Sequence, residues 1–290
     1  MDYTSYSRLS EFQKEQIRAF TERCRKFDHL YYEFYLGSEY TFYPEMNVFY
    51  LAQDTSGLVG FLTIYADEAD GAEISACVLP ARRRQGIFTC MFQAALEELK
   101  RFHYTSMFLK TEKEFLFQQE VLTHYPAVYS HSEYLMVCDV SRCRPCDSDG
   151  AFSLRLAQKE DLPALAAISA DAFGNPPSIA ETYVRETFAG KDTYLYIALL
   201  HETPVGCVSV DQAGTWQYLF GLCIVTSYRR QGLGRRMLAQ LITRLSASSS
   251  RGIALAVDRS NMAAMPLYES CGFTRREETQ YHEMVIAPQQ

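Results

Sequence analysis

The chain repeats one pattern of apolar and polar positions in its two halves. In each half a strand-like apolar run leads into a short basic stretch, which is followed by apolar residues at helical spacing. The basic stretches are Arg83-Arg84-Gln85-Gly86 and Arg229-Arg230-Gln231-Gly232, about half the chain apart. A unit of strand, basic loop and helix that occurs twice predicts two domains of similar topology.

Around this unit the patterns predict further strands and helices. In the first half we expect helices over 9–20 and 28–35, and strands over 48–52, 59–65, 73–78 and 106–110. In the second half we expect strands over 152–156, 194–200, 205–210, 219–224, 252–257 and 283–286, and helices over 161–173, 179–188 and 261–271. This order predicts an α/β fold, of the α+β kind with a mixed sheet. The domains are predicted as residues 1–140 and 151–290, with a polar linker over 141–150.

Composition and charge exclude several classes of protein. The chain has 28 Lys and Arg against 35 Asp and Glu, a net charge of −7, which argues against a general nucleic-acid binder. Its longest apolar runs are strand-sized, so we expect no membrane span, and the N-terminus shows no signal-peptide pattern, so we expect a cytoplasmic protein. The nine cysteines are scattered, and Cys143 and Cys146 form a C-x-x-C without a second pair, so we expect neither a disulfide framework nor a metal site.

The basic loops have the chemistry of a phosphate cradle. A loop that runs from a strand into a helix offers unpaired N–H groups and the positive end of the helix dipole, and arginine adds charge. The spacing fits neither a P-loop nor a G-x-G-x-x-G dinucleotide fingerprint. Pyrophosphate binding is one interpretation of such a loop, and an exposed basic turn is the other.

The second half resembles the GNAT N-acetyltransferase superfamily at two separate places. Arg229-x-x-Gly232-x-Gly234 is similar to the acetyl-CoA pyrophosphate motif of that family, and residues 261–273 resemble its Asn-x-x-Ala-x-x-Leu-Tyr-x-x-x-Gly-Phe signature. The resemblance implies acetyl-CoA as the co-substrate and Tyr268 as the acid that protonates the leaving thiolate. It also implies a set of cofactor-binding residues: Cys223 and Ile224 for the pantetheine arm, Arg229, Arg230, Gln231, Gly232, Leu233 and Gly234 for the pyrophosphate, and Asn261.

The first half resembles the family less closely. Its corresponding cofactor residues are Val78, Arg83, Arg84, Gln85, Gly86 and Ile87. Phe88 stands where the second glycine is expected, and Val121 stands at the position aligned with Tyr268. We therefore expect a degenerate N-terminal domain and a catalytic C-terminal one, a layout similar to that of mycothiol synthases.

The implied reaction is direct acetyl transfer from acetyl-CoA to an amine of a small molecule or a peptide. The general base stays open: Glu73 lies on the first-half strand, whereas Asp171, Glu181 and Asp211 could act only through water. Two other functions are considered, a non-catalytic module that binds acyl-CoA or a partner protein, and acyl transfer from aminoacyl-tRNA. The acidic charge disfavours the last, and the sequence leaves the acceptor and the oligomeric state open.

Overall fold

A computed structural model describes residues 1–144 and 150–287. Over these residues the chain forms two compact units, each with helices packed on a sheet. Unit 1 contains residues 1–132 and the described residues from 277 onward, and unit 2 contains the described residues of 133–276. Parallel and antiparallel neighbours occur in both, which confirms the predicted α/β fold with a mixed sheet.

The helices and strands alternate along the chain. The strands are β1 (Asp2–Tyr6), β2 (Phe49–Asp54), β3 (Gly57–Tyr65), β4 (Gly71–Val78), β5 (Ser106–Glu112), β6 (Val128–Cys138), β7 (Phe152–Leu156), β8 (Thr193–Leu200), β9 (Thr203–Asp211), β10 (Gln217–Ile224), β11 (Ile253–Asp258) and β12 (Phe273–Val285). The helices are α1 (Glu11–Asp28), α2 (Ile87–Arg101), α3 (Leu116–Leu122), α4 (Leu162–Phe173), α5 (Pro177–Ala189), α6 (Leu233–Ser248) and α7 (Met265–Ser270).

In unit 1 the strands lie in the order β1, β2, β3, β4, β5, followed by the end of β12 from residue 279 onward. Only β4 and β5 are parallel neighbours here. Helix α2 buries Met91, Phe92, Ala95 and Leu99 against the sheet, as its helical spacing predicts. This apolar face explains why α2 forms directly behind the first basic loop.

In unit 2 residues 133–138 of β6 are followed by β11, β10, β9, β8 and β7. Strands β10 and β11 are parallel, and the other neighbours are antiparallel. Helix α6 buries one face, made of Leu233, Met237, Leu238, Ala239, Leu241, Ile242 and Leu245. The repeat in the sequence therefore corresponds to a repeat of strand, loop and helix in the structure.

In each unit the two parallel strands separate before the first of them ends. The register of β4 with β5 runs only from Gly71 to Ile74, although β4 stays paired with β3 as far as Val78. Likewise, β10 pairs with β11 only from Gln217 to Leu219, although it stays paired with β9 as far as Ile224. The carboxyl-terminal part of the middle strand is thus unpaired on one side, just before each basic loop.

Residues 28–35 do not form the predicted helix, and this prediction is wrong. Helix α1 runs on to Asp28 and ends at His29, which adopts a left-handed conformation with φ 58°. Beyond it the Tyr31 N–H donates to the Glu277 carboxylate at 2.7 Å, and Phe34 packs edge-on against Phe61. Tertiary contacts, which local spacing does not encode, hold this aromatic segment without regular secondary structure.

The compact units divide the chain differently from the predicted domains 1–140 and 151–290. Residues 133–140 belong to unit 2, and the chain returns to unit 1 at residue 277, inside β12. The sequence analysis missed β1, β6 and α3 and gave β12 only its last residues. A strand can pair with any sheet edge that offers unpaired backbone groups, so its own pattern does not reveal which unit it joins. Residues 145–149 of the predicted linker, with Cys146, lie outside the described residues.

Candidate functional site

The two basic loops have the same backbone conformation. Arg84 and Arg230 adopt positive φ angles of 60° and 63°, and the glycines that follow at 86 and 232 have φ of 77° and 74°. A positive φ angle is unfavourable for most residues, and each loop has two of them. Glycine adopts the second, at 86 and at 232, without that cost. The sequence R-R-Q-G therefore builds the same turn twice.

In each loop the first arginine ties the turn back to the preceding strand. The Nε of Arg83 donates to the carbonyl oxygen of Val78 at 3.1 Å, and the Nε of Arg229 donates to that of Ile224 at 2.9 Å. The Nε–H of each guanidinium group thus stabilises the conformation of its own loop. Ile224 is one of the residues whose backbone the resemblance assigns to the pantetheine arm, and its carbonyl oxygen already accepts this hydrogen bond.

Both loops end at an uncapped helix. Gly86 and Gly232 are the N-caps of α2 and α6, and neither helix start has a side-chain cap. A Cβ at either glycine would meet nothing within 4 Å among the described residues, so the space in front is open. The first-turn N–H groups and the helix dipole together can hold an anion there.

The two loops differ in their charge. In unit 1 each of three successive arginines is paired with a carboxylate: Arg82 with Asp54 at 2.6 Å, Arg83 with Asp28 at 2.8 Å, and Arg84 with Glu120 at 2.6 Å. The pair of Arg83 with Asp28 is bidentate and almost buried. This loop is therefore electrically neutral within the protein.

The loop of unit 2 keeps its positive charge. Arg230 is exposed and forms no ion pair with any described residue. The carboxylate of Asp171 accepts the Thr226 N–H at 2.7 Å; that hydrogen bond, and less strongly the charge of Arg229, lower the pKa of Asp171. An anion at the start of α6 would thus meet unpaired positive charge.

Tyr268 lies on α7, which packs against the start of α6 through Leu267. It is buried, its ring packs edge-on against Phe273, and no hydrogen bond of its hydroxyl is found among the described residues. Burial raises the pKa of Tyr268, so the phenol stays protonated at neutral pH. Gly234 allows α7 to pack here, because a Cβ at Gly234 would lie 3.2 Å from a methyl of Leu267. The sequence predicts that Gly234 lets a ligand approach the backbone. In the structure it lets helix α7 approach α6.

The other expected cofactor residues of unit 2 have local partners. The Asn261 side chain accepts the Ala264 N–H at 3.1 Å and so caps the turn before α7. The Sγ atoms of Cys223 and Cys207 lie 3.4 Å apart, and this contact, with burial, raises the pKa of Cys207. The Gln231 side-chain amide donates to the Ser227 carbonyl at 3.5 Å. The Leu233 side chain is buried in the core, so only the backbone of Leu233 could contact a ligand.

Unit 1 contains a cavity of about 370 Å³ where β4 and β5 separate. Five of the expected cofactor residues, Val78, Arg83, Arg84, Gly86 and Ile87, line it, whereas Gln85 turns back to a backbone carbonyl at 3.4 Å. Phe88 lines it too and packs against Phe92 and Tyr125. The phenylalanine in place of the second glycine is therefore part of the cavity wall.

The inner wall of this cavity includes a carboxylate that sequence reasoning missed. Glu112, at the end of β5, is 5% exposed; its Oε1 accepts the Thr279 hydroxyl at 3.0 Å, and its Oε2 has no partner among the described residues. Burial, and then the nearby Glu277, raise the pKa of Glu112 to about 7. No local sequence pattern marks Glu112, because its burial comes from β12, far away in the chain.

The acids that we considered as bases have partners elsewhere. Glu73 pairs with the Lys110 ammonium at 3.0 Å, and Glu181 pairs with Arg185 on the surface of α5 at 2.7 Å. Asp211 accepts the Ala213 N–H at 2.7 Å. The described residues contain no group of three or more potential metal ligands, and no described helix is long and apolar enough to cross a membrane.

Comparisons with known proteins agree with this architecture. The Acetyltransferase (GNAT) family matches residues 10–120 and 162–273, once in each half. A ribosomal protein bS18-alanine N-acetyltransferase from Escherichia coli K12 is 34% identical over 116 residues, which are 39% of this chain and 74% of the relative. The enzyme of the same name from Salmonella typhimurium LT2 is 31% identical over 124 residues, 42% of this chain and 80% of the relative.

Solved structures extend the likeness over the whole chain. A tandem GNAT protein from the clavulanic acid biosynthesis pathway aligns with a TM-score of 0.76 at 14% identity, covering 100% of this chain and 99% of its own. A GCN5-related N-acetyltransferase from Sphaerobacter thermophilus aligns with a TM-score of 0.74 at 15% identity, covering 99% and 96%. With a repeated loop, two copies of one fold and a family match in each half, the chain belongs to the GNAT family of acetyltransferases and is a tandem acyltransferase.

Proposed function

We propose that the protein is an acetyl-CoA-dependent N-acetyltransferase whose reaction takes place in unit 2. The observation that carries the proposal is the loop at 229–232, which combines an uncapped helix start with an unpaired arginine. The protonated Tyr268 belongs to the same unit, on a helix that packs against the start of α6 through Leu267. The acceptor is an amine of a small molecule or a peptide. The neutralised loop of unit 1 supports the assignment of the reaction to unit 2.

The cofactor would be held mainly by backbone groups. The N–H groups at the start of α6 would donate to the diphosphate of acetyl-CoA, and Arg230 would supply charge from the side. Gly232 keeps the space in front of these groups open, because it carries no side chain there. The unpaired end of β10 would hydrogen-bond to the pantetheine arm as an added strand would.

The transfer step needs an attacking amine and a proton donor. The neutral amine attacks the thioester carbonyl, a C–N bond forms, the C–S bond breaks, and the sulfur leaves as a thiolate. Tyr268 would donate its hydroxyl proton to that sulfur, and its raised pKa keeps the proton in place until the thiolate develops. The surplus proton of the amine leaves to water, and water returns a proton to the Tyr268 phenolate, so that the protein ends the cycle unchanged.

The acceptor that best suits this site has an amine of low pKa. The acids of unit 2 that we considered as bases, Asp171, Glu181 and Asp211, are engaged by other groups, so we infer an amine that arrives without its proton. A peptide α-amine has a pKa of about 7.7–8.0 and a lysine amine about 10.4, so only the former is largely neutral near pH 8. The relatives named for alanine N-acetylation support an α-amine acceptor.

A non-catalytic acyl-CoA-binding module is the second candidate. The burial of the Tyr268 ring against Phe273, with no hydrogen bond to its hydroxyl among the described residues, is the observation that favours it. Such a module would bind acetyl-CoA through the same loop and would release no CoA.

Acetyl-CoA consumption distinguishes the two candidates. The full chain is incubated with acetyl-CoA and a panel of peptides with different N-terminal residues, polyamines, aminoglycosides, amino acids and thiol-sugar amines, and free CoA thiol is measured. We expect release with at least one acceptor, rising from pH 7 to pH 8.5 as the amine loses its proton. Acetyl-CoA binding by calorimetry without release for any acceptor would favour the module.

A further inference from the structure

The cavity of unit 1 has an apolar, aromatic interior. Its lining includes six phenylalanine and tyrosine rings: Tyr32, Phe34, Phe88, Phe115, Phe117 and Tyr125. Its volume of about 370 Å³ lies in the range of small-molecule sites. Aromatic faces also attract cations, and the Lys110 ammonium already lies 5.6 Å from the centre of the Tyr32 ring.

The mouth of the cavity is poorly suited to a diphosphate. Arg82, Arg83 and Arg84 all line it, and each is neutralised by a carboxylate of the protein. The Arg83 guanidinium also lies over the Phe117 ring, 4.9 Å from its centre. A diphosphate would have to displace these carboxylates to obtain charge from the arginines, and the pair of Arg83 with Asp28 is nearly buried.

The inner end of the cavity has the opposite charge. Glu112 lines it and Glu277 lies close enough to Glu112 to raise its pKa, and one oxygen of each carboxylate is buried without a partner among the described residues. The nearby cation Lys110 is paired with Glu73 at 3.0 Å. Arg25 is paired with Glu22 and Glu33. The buried Glu112 and the half-buried Glu277 therefore share too little positive charge, which a ligand could supply.

We propose that this cavity binds an amine carried on an aromatic or apolar body, with its ammonium group at Glu112 and its body against the rings. The ammonium would donate to the unpartnered Oε2 of Glu112. The raised pKa of Glu112 agrees with this, because it reports a carboxylate that lacks a cation. This binding site is separate from the loop at 229–232 and does not depend on the proposed function.

The test compares two ligands of nearly the same shape. Tryptamine carries an ammonium, and tryptophol carries a hydroxyl in its place. Their binding to the full chain is measured by calorimetry at pH 8, without acetyl-CoA. We expect tryptamine to bind at least about 10-fold more tightly than tryptophol, as for a charge-assisted contact in a buried site. Equal binding of the pair, or no binding of tryptamine, would overturn the proposal.

Variants locate the binding in unit 1. Glu112→Gln keeps the shape of the side chain and removes its charge, and it should weaken tryptamine at least about 10-fold with little effect on tryptophol. Glu114→Gln is the matched control, because Glu114 is exposed and only two residues away, and it should change neither affinity. Ala76→Leu narrows the cavity without touching the carboxylates and should weaken both ligands.

Two results would contradict the assignment to this cavity. One is tryptamine affinity in Glu112→Gln and Ala76→Leu equal to that of the wild type, with thermal unfolding showing that both variants are folded. The other is competition in which acetyl-CoA displaces tryptamine from the wild type but no longer does so in a Gly86→Asp variant. That result would make the cavity a cofactor site.

Discussion

Replacing Glu112 with glutamine should make the protein more stable, and increasingly so as the pH rises. The pKa of Glu112 is about 7 in the folded protein, against 4.5 for an ordinary glutamate. The folded state therefore binds this proton more tightly than the unfolded state does. Between pH 4.5 and 7 the wild type loses stability as Glu112 ionises in the unfolded state first, and above pH 7 the loss is complete.

The size of the effect follows from the pKa difference. A shift of 2.5 pH units at 1.36 kcal/mol per unit corresponds to about 3 kcal/mol at pH 8, and to about 1 kcal/mol at pH 5. Glutamine cannot ionise, so the variant does not lose this folding free energy as the pH rises. The substitution also removes a negative charge close to Glu277. Glu112→Gln should thus gain about 2 kcal/mol over the wild type between pH 5 and pH 8.

The assay is urea unfolding followed by circular dichroism at several pH values from 5 to 8. Glu114→Gln serves as the control, since this carboxylate is exposed and should show no pH-dependent difference from the wild type. If Glu112→Gln followed the wild type in parallel across this range, Glu112 would not be a buried carboxylate without a counterion. A variant less stable than the wild type at pH 8 would refute the reasoning as well.

Three further predictions concern unit 2. Tyr268→Phe should lower kcat about 100-fold or more in steady-state kinetics and leave acetyl-CoA affinity in calorimetry unchanged; equal turnover would make Tyr268 a core residue only. Gly232→Asp should cost at least about 2 kcal/mol of acetyl-CoA affinity through steric block and like charge, whereas Gly86→Asp in the unit 1 loop should leave it intact. Gly234→Phe should destabilise unit 2 by about 1–3 kcal/mol in urea unfolding, because even a Cβ at this position would lie 3.2 Å from a methyl of Leu267. An unchanged unfolding midpoint would contradict that packing.

Local sequence was sufficient for features that depend on neighbouring residues alone. The R-R-Q-G stretch builds the same turn in both halves because its conformation depends on glycine at one position. The apolar spacing behind it gave the buried faces of α2 and α6, since a helix has one period whatever it packs against. The family resemblance rested on the second of these loops and on the separate signature at residues 261–273.

Features that depend on residues far away in the chain could not be predicted from local sequence patterns. Asp28 neutralises Arg83 from the end of α1, and this helix end was itself misplaced in the sequence analysis. Glu112 is buried by β12, whose extent the sequence pattern gave only in its last residues. The charge of the two loops, which separates them more clearly than Phe88 and Gly234 do, is set by such long-range pairs.

We propose that acetyl transfer uses the positive loop of unit 2 and not the neutralised loop of unit 1. The most direct measurement is turnover with one acceptor for two matched double variants, Arg84→Glu with Gly86→Asp and Arg230→Glu with Gly232→Asp. Both change exposed loop positions, and circular dichroism verifies that each variant is folded. We predict that only the change at 230 and 232 abolishes CoA release. Loss of turnover in the variant at 84 and 86, whether alone or together with the other, would contradict the account.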